Sequence, residues 1–525
     1  MTAGLGPEER AHELDGAAAV LLVNVARAMT TERDVDRLLS LILEKSRFVT
    51  GADAGSIYVA EGDVGSRSLR FKLTQNDSVT FDSREFTMPI SNRSIAGCAV
   101  LGKKAINISD VYDLPAGSPY GFDRSFDEKI GYRTRSMLTV PLISQRDEVI
   151  GVIQLINKKR DPARKLATKA DVDELVVPFD WHTEELLGMV AAQAGVSLEN
   201  AVLYAEIRSL FEGFVTASVE AIESRDPTTS GHSRRVADLT VGLAKVVDAD
   251  SSQVHEAFRF SREDLRELEY ASLLHDFGKI GVREKVLVKA KKLYDERLEL
   301  IEARFDFVMR TLEADILGRK LRALERGAPR SELEALDREL VARRAELEAA
   351  IAAIHSANEP TVLAAGDFAK VEAIATETYF DLRGETKRLL EGDELVALSV
   401  KRGSLTPVEY EEITSHVTHT YRFLSRIPWG KALARVPKIA GAHHERLNGT
   451  GYPNRLRAEE IPIQSKMMSV ADIFDALTAS DRPYKKAVPV ERALDILDYS
   501  VKDQHLDPDL VRVFREARVW ECLRR

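Results

Sequence analysis

Apolar residues recur at helical spacing from Ala17 to Phe48, as Leu21, Val25 and Met29 and then Val35, Leu38 and Ile42. This predicts two helices, the second capped by Thr30 or Thr31. Short strand-like runs follow at 56–60, 69–73, 105–108, 137–142 and 149–156, each bounded by Gly, Asp, Asn or Ser. Helical spacing resumes at Thr183, and few breakers interrupt 184–224, which predicts one long connecting helix. The helix–sheet–helix order predicts an α+β domain over 15–183, preceded by a flexible tail, 1–14. From 225 to 525 the pattern stays helical. Within it, Leu317, Leu321 and Leu324 are parted from Leu333, Leu336, Leu340 and Leu347 by Gly327-Ala328-Pro329. This predicts an antiparallel helical hairpin whose second helix is capped by Ser331.

One helix design occurs twice. Leu293 to Arg304 is similar to Leu405 to His416, and Arg310-Thr311-Leu312 matches Arg422-Phe423-Leu424. Only the second copy has a histidine and the capping box Thr406-Pro407-Val408-Glu409.

A chain of 525 residues is too long for a single core. Its net charge of -10 gives no reason to expect a duplex nucleic acid partner, which calls for a basic face. Cys98 and Cys522 are the only cysteines and cannot build a disulfide framework, so a cytoplasmic location is expected. The polar, acidic N-terminal stretch does not read as a signal peptide. No membrane insertion is expected, because no run reaches the roughly 18 apolar residues required.

Candidate chemistry is concentrated in a few places. His275-Asp276 ends the apolar run Leu268 to Leu274, where an unpaired carboxylate would be costly. Lys279 lies three residues past Asp276 on the same predicted helical face, suited to an anionic substrate. His443-His444-Glu445 runs into Gly449-Thr450-Gly451-Tyr452-Pro453. Adjacent helical residues point about 100° apart, so this pair can serve two metals. Asp472 and Asp475 share one side of an apolar helix, and His232 precedes Ser233-Arg234-Arg235. Imidazoles and carboxylates grouped in this way suit divalent metals.

These motifs, with Ser480-Asp481-Arg482-Pro483-Tyr484, resemble the HD-GYP family of HD phosphohydrolases, which hydrolyse cyclic di-GMP. The resemblance covers 206–290 and 400–515 and marks 290–400 as an insertion. It implies an all-α HD-GYP domain over 225–525, containing the helical hairpin. It implies metal ligands at His232, His275, Asp276, His416, His443, His444 and Asp472. Asp276 would bridge two metals, with His232, His275 and Asp472 on one and His416, His443 and His444 on the other. His419, one turn past His416, ranks as a neighbour. Thr228 stands where some members have a glutamate for a third metal, so two divalent ions are expected. Mixed nitrogen and oxygen ligands favour Fe or Mn. Such a centre lowers the pKa of a bridging water and stabilises both oxygens of an in-line displacement. Asp276 and Lys279 would be catalytic. Lys279, Gly451, Tyr452, Pro453, Arg482 and Lys485 would bind substrate. The expected reaction opens cyclic di-GMP to linear pGpG and then GMP. Asn448 replaces the family's usual aspartate, which puts activity in question. The alternatives are a weakly catalytic cyclic-dinucleotide receptor and an enzyme preferring a hybrid cyclic GMP-AMP.

Gly131 to Leu142 and Val149 to Lys158 resemble a GAF domain. The resemblance implies an antiparallel sheet with flanking helices, a regulatory role and a homodimer through this domain and the connecting helix. Ligand-binding GAF domains carry Asn-Lys-x-x-Phe-x-x-x-Asp-Glu. Here Asn157-Lys158 is separated by a long loop from Phe179 to Glu184, and Thr183 stands in the aspartate position. Asn157 and Lys158 are the candidate contacts for a small ligand.

Overall fold

Asp34, rather than Thr30 or Thr31, starts the second helix. Its carboxylate accepts the Arg37 N–H, and the helix stops at Gly51, where φ is 69°. The two threonine hydroxyls instead turn back to the carbonyls of Ala26 and Arg27. A threonine within its own helix readily donates to the preceding turn. The computed structural model describes residues 20, 22–62, 67–80, 84–225, 230–249, 259–361, 365–479 and 487–524. It comprises two units, Met1–Glu212 and Gly213–Arg525.

In the first unit, α1 (22–31) and α2 (Val35–Thr50) precede β1 (Ala52–Glu61), β2 (Ser68–Asn76) and β3 (Phe86–Pro89). Then come α3 (Ile95–Gly102), β4 (Ile106–Ile108), α4 (Ser125–Ile130), β5 (Met137–Ile143), β6 (Val149–Lys159), α5 (Lys169–Leu175), β7 (Val176–Val177) and α6 (Trp181–Glu223), whose last residues belong to the second unit. The sheet runs β3-β2-β1-β6-β5-β4, with β7 on β6, and all pairings are antiparallel. Leu38, Leu39 and Ile42 of α2 and Leu187, Val190 and Ala194 of α6 pack with Ile57, Leu138, Leu142 and Ile153 of the sheet. β3 and β7 lie outside the predicted strands because segments of four and two residues are too short to show a period. α6 is long and apolar enough to cross a membrane by length and composition, but its first half is part of this core.

Among its described residues, the second unit is helical apart from one small hairpin. Its elements are α7 (His232–Ala249), α8 (Arg262–Leu273), a 3₁₀ turn (Phe277–Gly281), α9 (Glu284–Leu287), α10 (Asp295–Glu325), α11 (Arg330–Asn358) and α12 (Ala365–Thr376). The hairpin β8 (Thr378–Phe380) and β9 (Thr386–Arg388) precedes α13 (Gly392–Leu398), α14 (Pro407–Leu424), α15 (Val436–Ala440), α16 (Ile463–Thr478), α17 (Val490–Lys502) and α18 (Pro508–Glu516). α10 and α11 run antiparallel, crossed by the ion pairs Arg319–Glu339 and Lys320–Asp337. Pro329, not Ser331, stands at the cap position of α11, and Ser331 lies inside the helix. A pyrrolidine ring holds φ near the value a helix start requires, which favours Pro at this boundary, while the first N–H groups are left without a side-chain acceptor. Residues 293–398 bury a core of their own, with Ile301, Phe305, Leu347, Ile354 and Val371 at its centre.

Candidate metal centre

α8 opens with the capping box Ser261–Asp264 and buries Leu268, Tyr270, Ala271 and Leu273. It ends at Leu273, so His275 and Asp276 lie beyond it, at the entrance to the 3₁₀ turn. Lys279 therefore meets Asp276 through that turn rather than along a continuing α-helix, because residues i and i+3 eclipse in 3₁₀ geometry. Its Nζ is 2.8 Å from Asp276 Oδ2. A Cβ on Gly278 would stand 1.9 Å from the His416 carbonyl oxygen, so glycine is what allows α14 to lie this close. The Gly278 N–H donates to Thr420 Oγ1 at 2.8 Å, and the Thr420 hydroxyl donates to the His275 carbonyl at 2.9 Å. His416 is thereby held beside the turn. His443 and His444 sit in a turn after α15, not on a helix. α7 begins at His232, and Asp472 belongs to α16.

The seven candidate ligands come together. His232, His275 and Asp472 form one group and His416, His443 and His444 another, each with one donor atom per residue within 4.8 Å of the others. Asp276 stands between them. Its Oδ2 is 3.5 Å from His275 Nε2 and 4.0 Å from His232 Nε2, while Oδ1 is 3.4 Å from His416 Nε2. His232 Nε2 is 3.2 Å from Asp472 Oδ1.

Three of the imidazoles are set alike. Nδ1 of His275, His416 and His443 lies 2.7, 2.6 and 2.6 Å from the carbonyls of Ser272, Ile413 and Ala440. A carbonyl only accepts, so Nδ1 carries the proton and Nε2 is a bare lone pair. All three Nε2 atoms are buried without a hydrogen-bond partner among the described residues. Buried, unpaired acceptors are costly, and a cation would satisfy all three, with the opposite ring nitrogen anchored in the manner of a metal ligand. These residues fit a divalent metal.

Charge is arranged around the same point. Burial opposes ionisation of Asp276, but Lys279 and the surrounding histidines hold its carboxyl well below the usual range. Burial drives the His443 imidazole far down and that of His444 to about 4, leaving both neutral and able to ligate. His232 behaves differently. Burial works against its charge, yet hydrogen bonds to Asp472 and Asp475 push it up to about 9. Its Nδ1 is 2.7 Å from Asp475 Oδ2, and Arg235 donates to Asp475 through Nε at 2.7 Å and Nη2 at 3.1 Å. Asp475 and Arg235 are candidate positioning residues that the sequence reading leaves without a role. Their signal is a matched spacing: His232 and Arg235 on α7 face Asp472 and Asp475 on α16, each pair three residues apart.

Residues 34–198 match the GAF domain family, and residues 229–354 and 392–510 match HD domain families. This chain carries a GAF domain and an HD domain. Among its relatives are a 3'3'-cGAMP-specific phosphodiesterase of Vibrio cholerae, 37% identical over 121 residues, and a cyclic di-GMP phosphodiesterase of Thermotoga maritima, 41% identical over 128 residues. These alignments cover 23% and 24% of the chain. A cGMP-specific 3',5'-cyclic phosphodiesterase of Drosophila ananassae is 30% identical over 205 residues, or 38% of the chain. The chain spans only 25%, 34% and 16% of the lengths of these three proteins. The first HD match continues through α10 and most of α11, so it overlaps the segment that the sequence reading treats as inserted.

In the HD domain, the loop after His444 packs over the histidines. The Tyr452 ring lies 4.8 Å from that of His444, and the Tyr452 N–H donates to the His444 carbonyl at 3.2 Å. A Cβ on Gly451 would meet Arg446 N at 2.4 Å, so this close fold-back needs glycine. The Tyr452–Pro453 bond is cis. Glu445 is buried, and its two oxygens accept the N–H groups of Asn454 and Leu456 at 2.7 and 2.9 Å, which ties down the loop. Asn448 Nδ2 donates to the Asp503 carbonyl at 2.9 Å, and Oδ1 accepts from Thr450 N at 3.0 Å and Oγ1 at 2.7 Å. An aspartate could not make the first of these bonds, which is a structural reason for asparagine here. His419 lies against Gly281, outside both ligand groups. Arg304, in the sister copy of the helix, binds Glu394 and the Leu389 carbonyl. Arg482, Lys485 and Thr228 lie outside the described residues.

In the GAF domain, Asn157 is fully buried at φ 60°. Its Oδ1 accepts the Arg135 N–H at 2.7 Å, and its amide donates to Tyr132 Oη at 3.0 Å and the Arg133 carbonyl at 2.8 Å. Lys158 Nζ is 2.7 Å from Asp180 Oδ2 and 2.5 Å from Thr183 Oγ1. The long loop thus restores a lysine–carboxylate pair through Asp180, three residues before Thr183. Both Asn157 and Lys158 make their hydrogen bonds within the domain.

Proposed function

We propose that this chain is a metal-dependent phosphodiesterase that opens a cyclic dinucleotide, cyclic di-GMP, to linear pGpG and then GMP. The observation that carries the reading is the set of three unpartnered Nε2 atoms converging on Asp276 beside Lys279. The names of the Thermotoga maritima and Vibrio cholerae relatives support the substrate class. His232, His275 and Asp472 would hold one divalent ion and His416, His443 and His444 a second, with Asp276 shared, Fe or Mn being the expected metals. When bound, such ions acidify water and neutralise phosphate charge. Asp475 and Arg235 orient His232. Lys279 contributes positive charge for the phosphodiester, and Tyr452, between Gly451 and Pro453, packs on the His444 ring and shapes the substrate pocket. Arg482 and Lys485 are proposed phosphate or guanine contacts.

Regulation through the GAF domain has a physical route at the end of α6. Arg225 donates to the carbonyls of Ile280, at 2.7 Å, and Val282, at 3.5 Å, just past Lys279. Glu223 accepts the N–H of Gly231 at 2.7 Å and of Ser233 at 3.1 Å, on either side of His232. A shift of this helix end would move both sides of the centre.

The test is to load purified protein with Fe, Mn, Co or Ni, incubate it with cyclic di-GMP and chromatograph the products. Absence of linear product with every metal overturns the reading. The Vibrio cholerae relative motivates a second substrate, the hybrid 3'3'-cyclic GMP-AMP. Competition between the two dinucleotides decides the preference.

A further inference from the structure

α13, the linker after it and the start of α14 enclose a groove of about 650 Å³. Its wall includes Leu395, Val396, Lys401, Arg402, Pro407 and Tyr410, and none of its lining residues is acidic. Val396 is 52% exposed and Tyr410 53%, so both side chains are open to a ligand. The Tyr410 ring packs on no other aromatic ring among the described residues. Lys401 and Arg402 are exposed, and their side chains make no ion pair among the described residues. The repeated helix gives a contrast. Lys289 stands four residues before Leu293, as Lys401 does before Leu405, yet Lys289 is bound by Glu409 at 2.7 Å and Lys401 has no such partner.

The groove adjoins the metal centre along α14. His416 lies six residues past Tyr410, a rise of about 9 Å. Its imidazole leans back along the helix, with Nδ1 at the Ile413 carbonyl. Tyr452 lies beside the same imidazole, with the two ring centres 6.5 Å apart. Burial first, and Tyr410 next, push the Tyr452 phenol up, which sets the two tyrosines near each other. The way from Lys279 and Asp276 past His416 and Tyr452 therefore leads to Tyr410. A cyclic dinucleotide has two bases and two phosphates. The metal centre engages one phosphodiester, so the other half needs a neighbouring surface. An exposed ring suits a base, because every base has a π-face. Unpaired cations suit a phosphate.

We propose that this groove holds the distal half of the cyclic dinucleotide, with its base on the Tyr410 ring and its phosphate facing Lys401 and Arg402. The inference rests on the function proposed above and names residues that select its substrate. α13 closes the far wall, so the 293–398 segment contributes to the choice of a dinucleotide over a smaller phosphodiester.

The test titrates the full chain calorimetrically with cyclic di-GMP after chelation, so that no turnover intervenes. Saturable binding is expected, weakened roughly tenfold in Tyr410→Ala by the loss of one base stack and kept in Tyr410→Phe. Lys401→Ala is expected to weaken binding at low salt and less so at high salt. No binding by the wild type, or equal affinity in wild type and Tyr410→Ala, overturns the proposal. So does a loss in Tyr410→Phe as large as that in Tyr410→Ala. With metal restored, Tyr410→Ala is expected to raise KM for cyclic di-GMP far more than it lowers kcat, the signature of lost binding away from the reacting bond. A fall in kcat at constant KM overturns the groove as a binding subsite. The two readings fail separately. Tyr410-dependent binding without product from any metal refutes the phosphodiesterase and leaves the groove standing. Product formation with KM unchanged in Tyr410→Ala refutes the groove and leaves the phosphodiesterase standing.

Discussion

At the residue scale, the centre rests on side chains whose orientation is set by a partner on the opposite atom. Asp276 faces both histidine groups, so Asp276→Ala is expected to release metal and abolish turnover. Metal analysis alongside product chromatography checks this, and retention of both ions rules out the bridging role. Asp475 acts one step back, through His232. Asp475→Asn is expected to weaken metal binding by about 10- to 100-fold, the usual effect of losing an orienting partner. A metal titration of the variant gives the answer. Asn448 shows how a departure from a family pattern acquires a physical reason. Its amide donates to the Asp503 carbonyl, a bond an aspartate cannot make.

At the element scale, α14 is the member that ties the unit together. Its capping box is extended by Lys289 and Tyr294, which both donate to Glu409. Burial resists ionisation there, but these bonds draw the Glu409 carboxyl from its ordinary 4.5 down to about 2. The folded value lies below the unfolded one, so the stabilisation is complete above pH 4.5 and disappears as pH falls toward 2. Glu409→Gln keeps the capping geometry but loses the charge. It is expected to cost about 1–2 kcal/mol at neutral pH, a difference that urea denaturation shows closing below pH 4.5. The end of α6 carries a different expectation. Arg225→Ala removes the bonds to the Ile280 and Val282 carbonyls. It is expected to change kcat while metal content stays constant. An unchanged kcat refutes that contact as a route of control.

At the scale of the whole molecule, two units with separate cores are expected to melt separately. Metal held by the proposed centre would bind only the folded form of one of them. Chelation is therefore expected to lower the Tm of the HD transition by several degrees and leave the GAF transition in place. Calorimetry of the full chain reads both, and a common shift contradicts the assignment of the metal to the HD domain.

Much of this protein is legible in its sequence, because periodicity is a local property. The β1, β5 and β6 strands and the break between α10 and α11 at Pro329 follow from residue patterns within one element. So does the presence of His275, Asp276, His443 and His444 in clusters, since those residues are neighbours in the chain. What the sequence could not decide was which atoms face one another across distant segments. Asp475 meets His232 over 243 residues, and Lys158 finds Asp180 only because a long loop folds back. Asp34 and Pro329, rather than Thr30, Thr31 and Ser331, stand at the helix starts, because several nearby residues can cap and packing selects among them. Lys292 is the clearest case. As a letter in Lys289-Ala290-Lys291-Lys292 it looks like a solvated charge. Only tertiary packing shuts it from water and leaves its amine without a hydrogen-bond partner among the described residues.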